Sequence, residues 1–385
     1  MEKIGKTAGI ICEYNPFHNG HKYQIEQTKK ATGCEYTVCA MSGSMVQRGD
    51  VAVFDKWTRC RGALEGGADL VIELPAYYVL QSAQNFAFGG VELLSQLGVV
   101  DVLSFGSETA DMDMLNRVAG MISDEPEGFA ECIEGYLSSG MGYPAAYQAA
   151  LEKYLGITLK PNDTLAVNYI SAIKRSDSLL MPFTLKRDTD YHAECTSGDA
   201  SASATAVREL LYAGKDISSY VPVRYESGIY DIRNAESLIL GFFRLCTPDR
   251  LRGIIGMEPG LENRLISCAR EASTFEEFIS AAVTKRYTAH RIRRVVMSAI
   301  LGLIPGKKCD YVRVLGFSGK GRELLSEIKE KSPLTLVTKT ADFRPSCDST
   351  FAYDILATDI ASLCAKNPEM RRAGLDYTTS PVVIK

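Results

Sequence analysis

Five short apolar runs, separated by segments with helical spacing, constrain the fold of this chain more than any other feature. The runs are 9–12, 36–41, 69–74, 101–105 and 181–185, and the stretches 18–31, 55–66, 82–97 and 163–176 between them repeat apolar residues every three or four positions. The runs lack clean alternation of apolar and polar residues, so both faces of each strand must be covered, which points to a parallel sheet between layers of helices. In such α/β sheets ligands bind beyond the carboxyl ends of the strands. Residues 13–21, 42–50, 106–108 and 186–188, which follow four of the runs, therefore carry most of the functional reading.

Residues 110–176 read as a mostly helical insertion before the fifth strand. After about residue 225 helical segments dominate (234–246, 275–284, 289–302). A short apolar run at 312–317, a helix at 319–331 and a strand-like stretch at 334–337 then follow. A length of 385 residues suits two domains, expected at 1–225 and, mostly α-helical, at 226–385. The net charge of −4 divides unevenly between them. Residues 1–224 carry 19 Lys and Arg against 28 Asp and Glu, whereas 285–344 carry 14 against 5. An acidic half joined to a basic patch points to a polyanionic partner for the second half.

The 11 cysteines form no C-x-x-C pair and no His-associated cluster, so no metal site is expected and a reducing, cytoplasmic setting fits. No apolar run is long enough to span a membrane, and the first residues lack the apolar stretch of a secretion signal.

The strongest chemical signal is Asn15-Pro16-Phe17-His18-Asn19-Gly20-His21, directly after the first strand and opening a helix. Two of the 4 histidines of the chain stand there. Imidazoles three residues apart share one helical face. The helix N-terminus is expected to offer free N–H groups to phosphate, and Gly20 to permit close approach of a nucleotide. His18 and His21 would then stabilise charge developing at an α-phosphate and on the departing pyrophosphate. After the fifth strand, Ser203-Ala204-Thr205-Ala206-Val207-Arg208 opens another helix. There Thr205 is expected to cap the helix and Arg208 to offer a guanidinium fork to phosphate.

An H-x-G-H turn after the first strand, followed by A-S-A-T-A-V-R (202–208) after the fifth, resembles the two signatures of the HIGH-motif nucleotidyltransferase superfamily. Ala202 stands where Ile is usual. Further runs narrow the resemblance to the bacterial tRNA(Met) cytidine acetate ligase family over essentially the whole chain. They are EYNPFHNGH (13–21), MSGSMVQRGD (41–50), FDKWTR (54–59), GADLVIELP (67–75), QSAQNFA (81–87), FGSE (105–108), PNDTLA (161–166) and RVLGF (313–317). Ser44 and Asp50 stand where Asn and Glu are expected.

The resemblance implies a Rossmann-like nucleotidyltransferase domain that binds ATP, with Mg²⁺ carried by the nucleotide. It implies an enzyme that joins acetate to AMP and passes the acetyl group to the exocyclic amine of the wobble cytidine of elongator tRNA(Met). The catalytic residues would be His18, His21 and Arg208. The nucleotide site would comprise Thr7, Ala8, Gly9, Ile10, Ile11, Cys12, Glu13, Tyr14, Asn15, Pro16, Phe17, His18, Asn19, Gly20, Gly106, Asn162, Arg187 and Thr205. Gln47-Arg48-Gly49, after the second strand, could form a loop that closes over the substrate.

In the basic segment, Arg291, Arg293, Arg294, Lys307, Lys308 and Arg313, interleaved with Tyr287, are the candidates for tRNA contact, through phosphate pairing and base stacking. Two other readings remain open: an adenylyltransferase with a different acceptor, and a non-catalytic nucleotide- or RNA-binding adaptor.

Overall fold

The computed structural model describes residues 6–124, 126–187, 203–225 and 228–385. Ala202, the first residue of the second signature, and position 188 lie outside the described residues.

All five expected strands form: β1 (Thr7–Cys12), β2 (Tyr36–Ser42), β5 (Leu70–Leu74), β6 (Val102–Ser107) and β7 (Met181–Lys186). They pair in parallel in the order β5-β2-β1-β6-β7. The chain runs outward from β1 to β2 and β5, then returns to the other side of β1 for β6. The carboxyl ends of β1 and β6 therefore flank the switch point of the sheet, where α/β folds bind ligands. A two-stranded hairpin, β3 (Met45–Val46) with β4 (Asp50–Val51), rises from the end of β2. The sequence reading had it only as a loop.

The helices begin and end where local chemistry dictates. Helix α1 (Asn19–Thr32) is capped at its start by the His18 side chain and stopped by Gly33 at φ 71°. Lys29 and Lys30 in its last turn suit the negative end of the helix dipole. Helix α2 (Lys56–Glu65) starts where the Asp55 carboxylate accepts the Thr58 N–H. The helix Ala83–Gln96 crosses β1 so closely that a Cβ on Gly9 would lie 2.8 Å from Leu94 and one on Gly90 2.6 Å from Ile11. The expected insertion is four helices, Met112–Asp124, Glu127–Ser138, Tyr143–Leu155 and Pro161–Arg175, the last packing under β6.

Beyond residue 225 the chain is mostly helical, yet it also completes the sheet. β8 (Tyr311–Phe317) pairs antiparallel with β5, while β9 (Thr335–Val337) and β10 (Val382–Val383) pair in parallel with β8. One apolar core runs through both parts, from Val38 and Leu94 to Phe243, Val296 and Val314. The boundary near 225 therefore separates compositions but not sheets. Beneath the β5–β8 junction lies a fully buried ionic cluster. Lys56 bridges Glu73 and Asp376 at 2.7 and 2.8 Å, and Arg313 bridges the same two carboxylates at 3.3 and 2.6 Å. Arg313 is thus 4 % exposed, because two buried carboxylates require two cations. It does not belong to a surface that RNA could touch.

Candidate active site

The loop after β1 is held rigidly from below. Arg59, buried on α2, donates from Nη1 to the carbonyls of Glu13 at 2.6 Å and Ser42 at 3.1 Å, from Nη2 to Gly43, and from Nε to Phe54 at 3.1 Å. Val53 N–H donates to Asn15 Oδ1 at 2.7 Å, and Gln47 N–H to Glu13 Oε1 at 2.6 Å. Tyr14 adopts φ 46°, a left-handed conformation costly for a non-glycine residue, and the Asn15–Pro16 bond is cis. A positive φ at a residue such as Tyr14 persists where surrounding contacts over-determine it, commonly at functional sites.

The loop delivers two stacked imidazoles, His18 and His21, with ring centroids 3.7 Å apart. His18 Nδ1 accepts the Gly20 N–H at 3.1 Å, and His21 Nδ1 accepts the His18 N–H at 3.3 Å, a reciprocal capping box. With each Nδ1 used as an acceptor, the proton of each neutral ring resides on Nε2. Burial, then the fields of Arg187 and Arg208, pull His18 down to about 4. Burial, His18 and Arg187 hold His21 well below its ordinary value, against the opposing pull of the Pro16 carbonyl. Both rings are therefore neutral at pH 7.

The geometry revises the expected use of the helix N-terminus. Asn19 N–H is taken by the Tyr220 carbonyl at 3.0 Å, Gly20 N–H by His18, and His21 and Lys22 N–H by the His18 carbonyl at 2.8 and 3.2 Å. Asn19 Nδ2 donates to Ser219 O at 3.1 Å and Tyr225 Oη to Phe17 O at 2.7 Å, so the 219–225 segment fastens the turn from outside. The first-turn amides are thus already satisfied and are not free to meet an anion. Gly20 serves the same end: a Cβ there would lie 3.0 Å from His18 Cε1 and 3.2 Å from Nδ1. Its missing side chain makes room for the capping ring.

Arg208 reaches this loop from the helix Ala204–Tyr212. Nη1 donates to the Asn15 carbonyl at 2.6 Å and Nη2 to Thr205 Oγ1 at 3.1 Å. Ser203, not Thr205, caps that helix, and Thr205 instead orients the guanidinium.

On the other side, Gly106, Asn162 and Arg187 come together as expected. Arg187 prolongs the β6–β7 ladder through its N–H to Ser107 O at 2.8 Å, and its Nη1 donates to Asn162 Oδ1 at 2.8 Å. A Cβ on Gly106 would lie 2.6 Å from Arg187 Cδ, so the glycine lets the arginine stem cross the strand end. Asn162 is not a helix cap. Glu108 caps the helix Pro161–Arg175 by accepting the Asn162 and Asp163 N–H groups at 3.2 and 2.9 Å, and also takes Asn162 Nδ2 at 2.7 Å. A cleft between α1 and the ends of β6 and β7 is lined by Gly20, His21, Gly106 and Arg187. Roomier hollows flank Tyr225 but include neither imidazole.

Not every expected residue reaches the cleft. Thr7 lies at the amino end of β1, where its N–H meets Asp101 Oδ2 at 2.9 Å, and Ala8, Gly9, Ile10 and Ile11 are buried in the strand. They deliver the loop, and the strand first loses full burial at Cys12. The hairpin tip Gln47-Arg48-Gly49 is docked rather than open: a Cβ on Gly49 would lie 2.4 Å from Arg294 N, on the helix Ala289–Leu301.

The basic segment is also redistributed. Arg291 pairs with Glu258, and Arg293 pairs with Glu276 at 2.6 Å and Asp50 at 3.7 Å. Lys307 donates to Cys347 O at 2.8 Å, whereas Lys308 is exposed. Glu108 and Arg59 were missed as site residues, although FGSE and FDKWTR contain them. Their role is to hold backbone, which no sequence pattern announces. Among the described residues, no group of three or more His, Cys, Asp or Glu could hold a metal ion, and no helix is long and apolar enough to cross a membrane.

Residues 5–376 match the family described as HIGH Nucleotidyl Transferase. The tRNA(Met) cytidine acetate ligase of Acetivibrio thermocellus is 37% identical, the alignment covering 98% of this chain and 100% of the relative. That of Thermoanaerobacter sp. is 36% identical over 96% of this chain and 97% of the relative. The crystal structure of Thermotoga maritima TmcAL bound with alpha-thio ATP superposes with a TM-score of 0.88 at 30% identity, covering 98% of this chain and 99% of that one.

Proposed function

The chain belongs to the HIGH nucleotidyl transferase family, and we propose that it is an ATP-dependent ligase that acetylates the wobble cytidine of elongator tRNA(Met). The observation that carries this reading is the pair of stacked, neutral imidazoles His18 and His21 flanked by Arg187 and Arg208 at the switch point of the sheet. Two Nε2 donors and two guanidinium groups fit a polyphosphate and have no use for an uncharged ligand. The relatives' names supply the acyl group and the acceptor.

In the first step an acetate oxygen attacks the α-phosphorus of ATP and the bond to the β-phosphate oxygen breaks. Acetyl-adenylate forms and pyrophosphate leaves. His18 and His21 donate to the oxygens on which charge accumulates, while Arg208, fixed by Asn15 and Thr205, neutralises the departing group. Gly106 and Arg187 border the cleft that would take the adenosine, and Asn162 orients Arg187. Mg²⁺ bound to the triphosphate would spread the negative charge of its oxygens.

In the second step the exocyclic amine of the cytidine attacks the acetyl carbon, loses a proton, and AMP leaves with one of the original acetate oxygens. Flipping the base from a single-stranded loop costs only a few kcal/mol. The cysteines described are all free, which suits work in the reducing cytoplasm. The test is mass spectrometry of nucleosides from tRNA(Met) incubated with protein, ATP and acetate. An acetylated cytidine that requires both small molecules is expected. Pyrophosphate release without acetylation would favour another acceptor, and no pyrophosphate release would favour the adaptor reading.

A further inference from the structure

The basic residues near the site divide into those that already have a counter-charge and those that do not. Arg286 and Arg291 share Glu258, Arg293 is held by Glu276 and Asp50, and Arg313 is sealed in the buried cluster. Arg293 and Arg313 are neutralised within the fold, and Arg291 is tethered to a Glu258 carboxylate that also serves Arg286. Arg48, His290 and Arg294 differ. Arg48 and His290 are exposed, and Arg294 is half-buried, its one side-chain bond being a long one of 3.4 Å to the Gln47 carbonyl. Among the described residues none of the three makes an ion pair.

The fold also forces them together. Gly49, at φ 76°, lays the hairpin backbone against that of Arg293 and Arg294, leaving no room for a Cβ. Arg48 precedes that contact by one residue and so stands beside the 290–294 turn of the helix Ala289–Leu301. The opposite side of the same tip is tied to the catalytic loop through Gln47 N–H and Glu13 Oε1 at 2.6 Å, and to Gln81 O through Gln47 Nε2 at 3.2 Å. The electrostatics agree. Arg48 and Arg294 are among the cations that lower His290, and Arg294 is itself lowered to about 10 by burial and then by Arg291. Glu13 is the carboxylate that Arg48 faces, and Arg59 and Arg208 face it too. Arg187 and Arg208 act on His18, whereas Arg48 acts on Glu13, Arg208 and His290, so Arg48 stands between the catalytic loop and the helix Ala289–Leu301.

Arg48 and Arg294, gathered without an ion-pair partner, raise the energy of the free protein, and a polyanion relieves that cost when it binds, with the neutral His290 ring beside them as a further donor. We infer that Arg48, His290 and Arg294 form a phosphate-binding site for the backbone of the acceptor RNA, registering the target nucleotide over the Glu13–His21 loop. This rests on the RNA-acetylating reading above and specifies which cations serve it. Arg48 and Arg294 carry the contact, and Arg291 and Arg293 do not. The hairpin tip, braced on both sides, ties the position of the RNA strand to that of the catalytic loop.

The experiment measures binding of unmodified tRNA(Met) transcript by fluorescence anisotropy over a series of salt concentrations. It uses the full-length protein and its Arg48→Ala, Arg48→Lys and Arg291→Ala variants, with RNA-free, acetate-dependent pyrophosphate release followed in parallel. Arg48→Ala should weaken binding and lower the slope of log K against log salt by about one, the signature of one lost phosphate contact. Arg48→Lys should restore most of the slope, and Arg291→Ala should leave it close to wild type. Equal slopes for wild type and Arg48→Ala, or equal losses in Arg48→Ala and Arg291→Ala, would overturn the assignment. So would a loss of pyrophosphate release in Arg48→Ala with unchanged RNA affinity, which would give Arg48 to the triphosphate. Failure of the wild-type protein to bind the transcript at all would instead overturn the RNA-acetylating reading.

Discussion

Replacing Gly20 by alanine separates the chemistry of the site from its stability. Gly20 lies in the first turn of α1 with helical backbone, so alanine is not excluded by conformation. Its new Cβ would meet His18 Cε1 at 3.0 Å and Nδ1 at 3.2 Å. Ordinary contacts between such atoms are about 3.5–4 Å, so the ring must retreat by roughly half an ångström or more. That retreat weakens the cap from His18 Nδ1 to Gly20 N–H, at a cost of about 1 kcal/mol, while the change from glycine to alanine in a helix returns about 0.5–1 kcal/mol.

The two effects nearly cancel, and folding stability should shift by less than about 1 kcal/mol. Catalysis has no such compensation. Moving the stacked imidazoles relative to the α-phosphate misplaces a donor that acts only in the transition state, and an error of about 1 Å there costs on the order of 10²-fold. Acetate-dependent pyrophosphate release should fall by roughly 10- to 100-fold. For comparison, His21→Ala, which removes a donor outright, should fall by roughly 10²–10³. Urea denaturation of the same samples supplies the stability. Wild-type turnover in a well-folded Gly20→Ala protein would refute the claim that the pose of His18 matters. A large loss of stability would show that the capping contact, not the chemistry, had been measured.

Three further outcomes are expected. The imidazoles of His18 and His21 titrate below their ordinary value of 6.5 when folded, so between about 4 and 6.5 the unfolded chain binds more protons, and stability should rise with pH across that window. A urea midpoint that is flat from pH 4.5 to 6.5, or as steep in His18→Asn as in wild type, would contradict this. With ¹⁸O-labelled acetate, label should appear in AMP, since one carboxylate oxygen leaves on the phosphate; unlabelled AMP, or acetylation from acetyl-CoA without ATP, would rule out the adenylate route. Asp376→Ala should destabilise the protein by about 3–5 kcal/mol, because Lys56 and Arg313 would be left buried with Glu73 alone, and a shift under about 1 kcal/mol in urea denaturation would refute it.

The strands β1, β2, β5, β6 and β7, the helices between them and the His18–His21 turn were legible in the chain itself, because each is specified locally. Periodicity chooses strand or helix, and residues such as Gly33 and Asp55 stop or start helices through their own backbone or side-chain chemistry. The order of the two signatures along the chain, with the strands between them, also pointed to Arg208 beside the imidazoles.

What the tertiary structure alone decided concerns partners distant in sequence. Arg291 and Arg293 look as available as Arg294 until Glu258, Glu276 and Asp50 are brought beside them. Arg313 reads as one more basic residue until Glu73 and Asp376 enclose it. The Asn19 amide at the start of α1 looks free until the Tyr220 carbonyl arrives. A charge or a donor can be read from one residue, but whether it is already satisfied depends on atoms tens to hundreds of positions away, and only the folded packing supplies them.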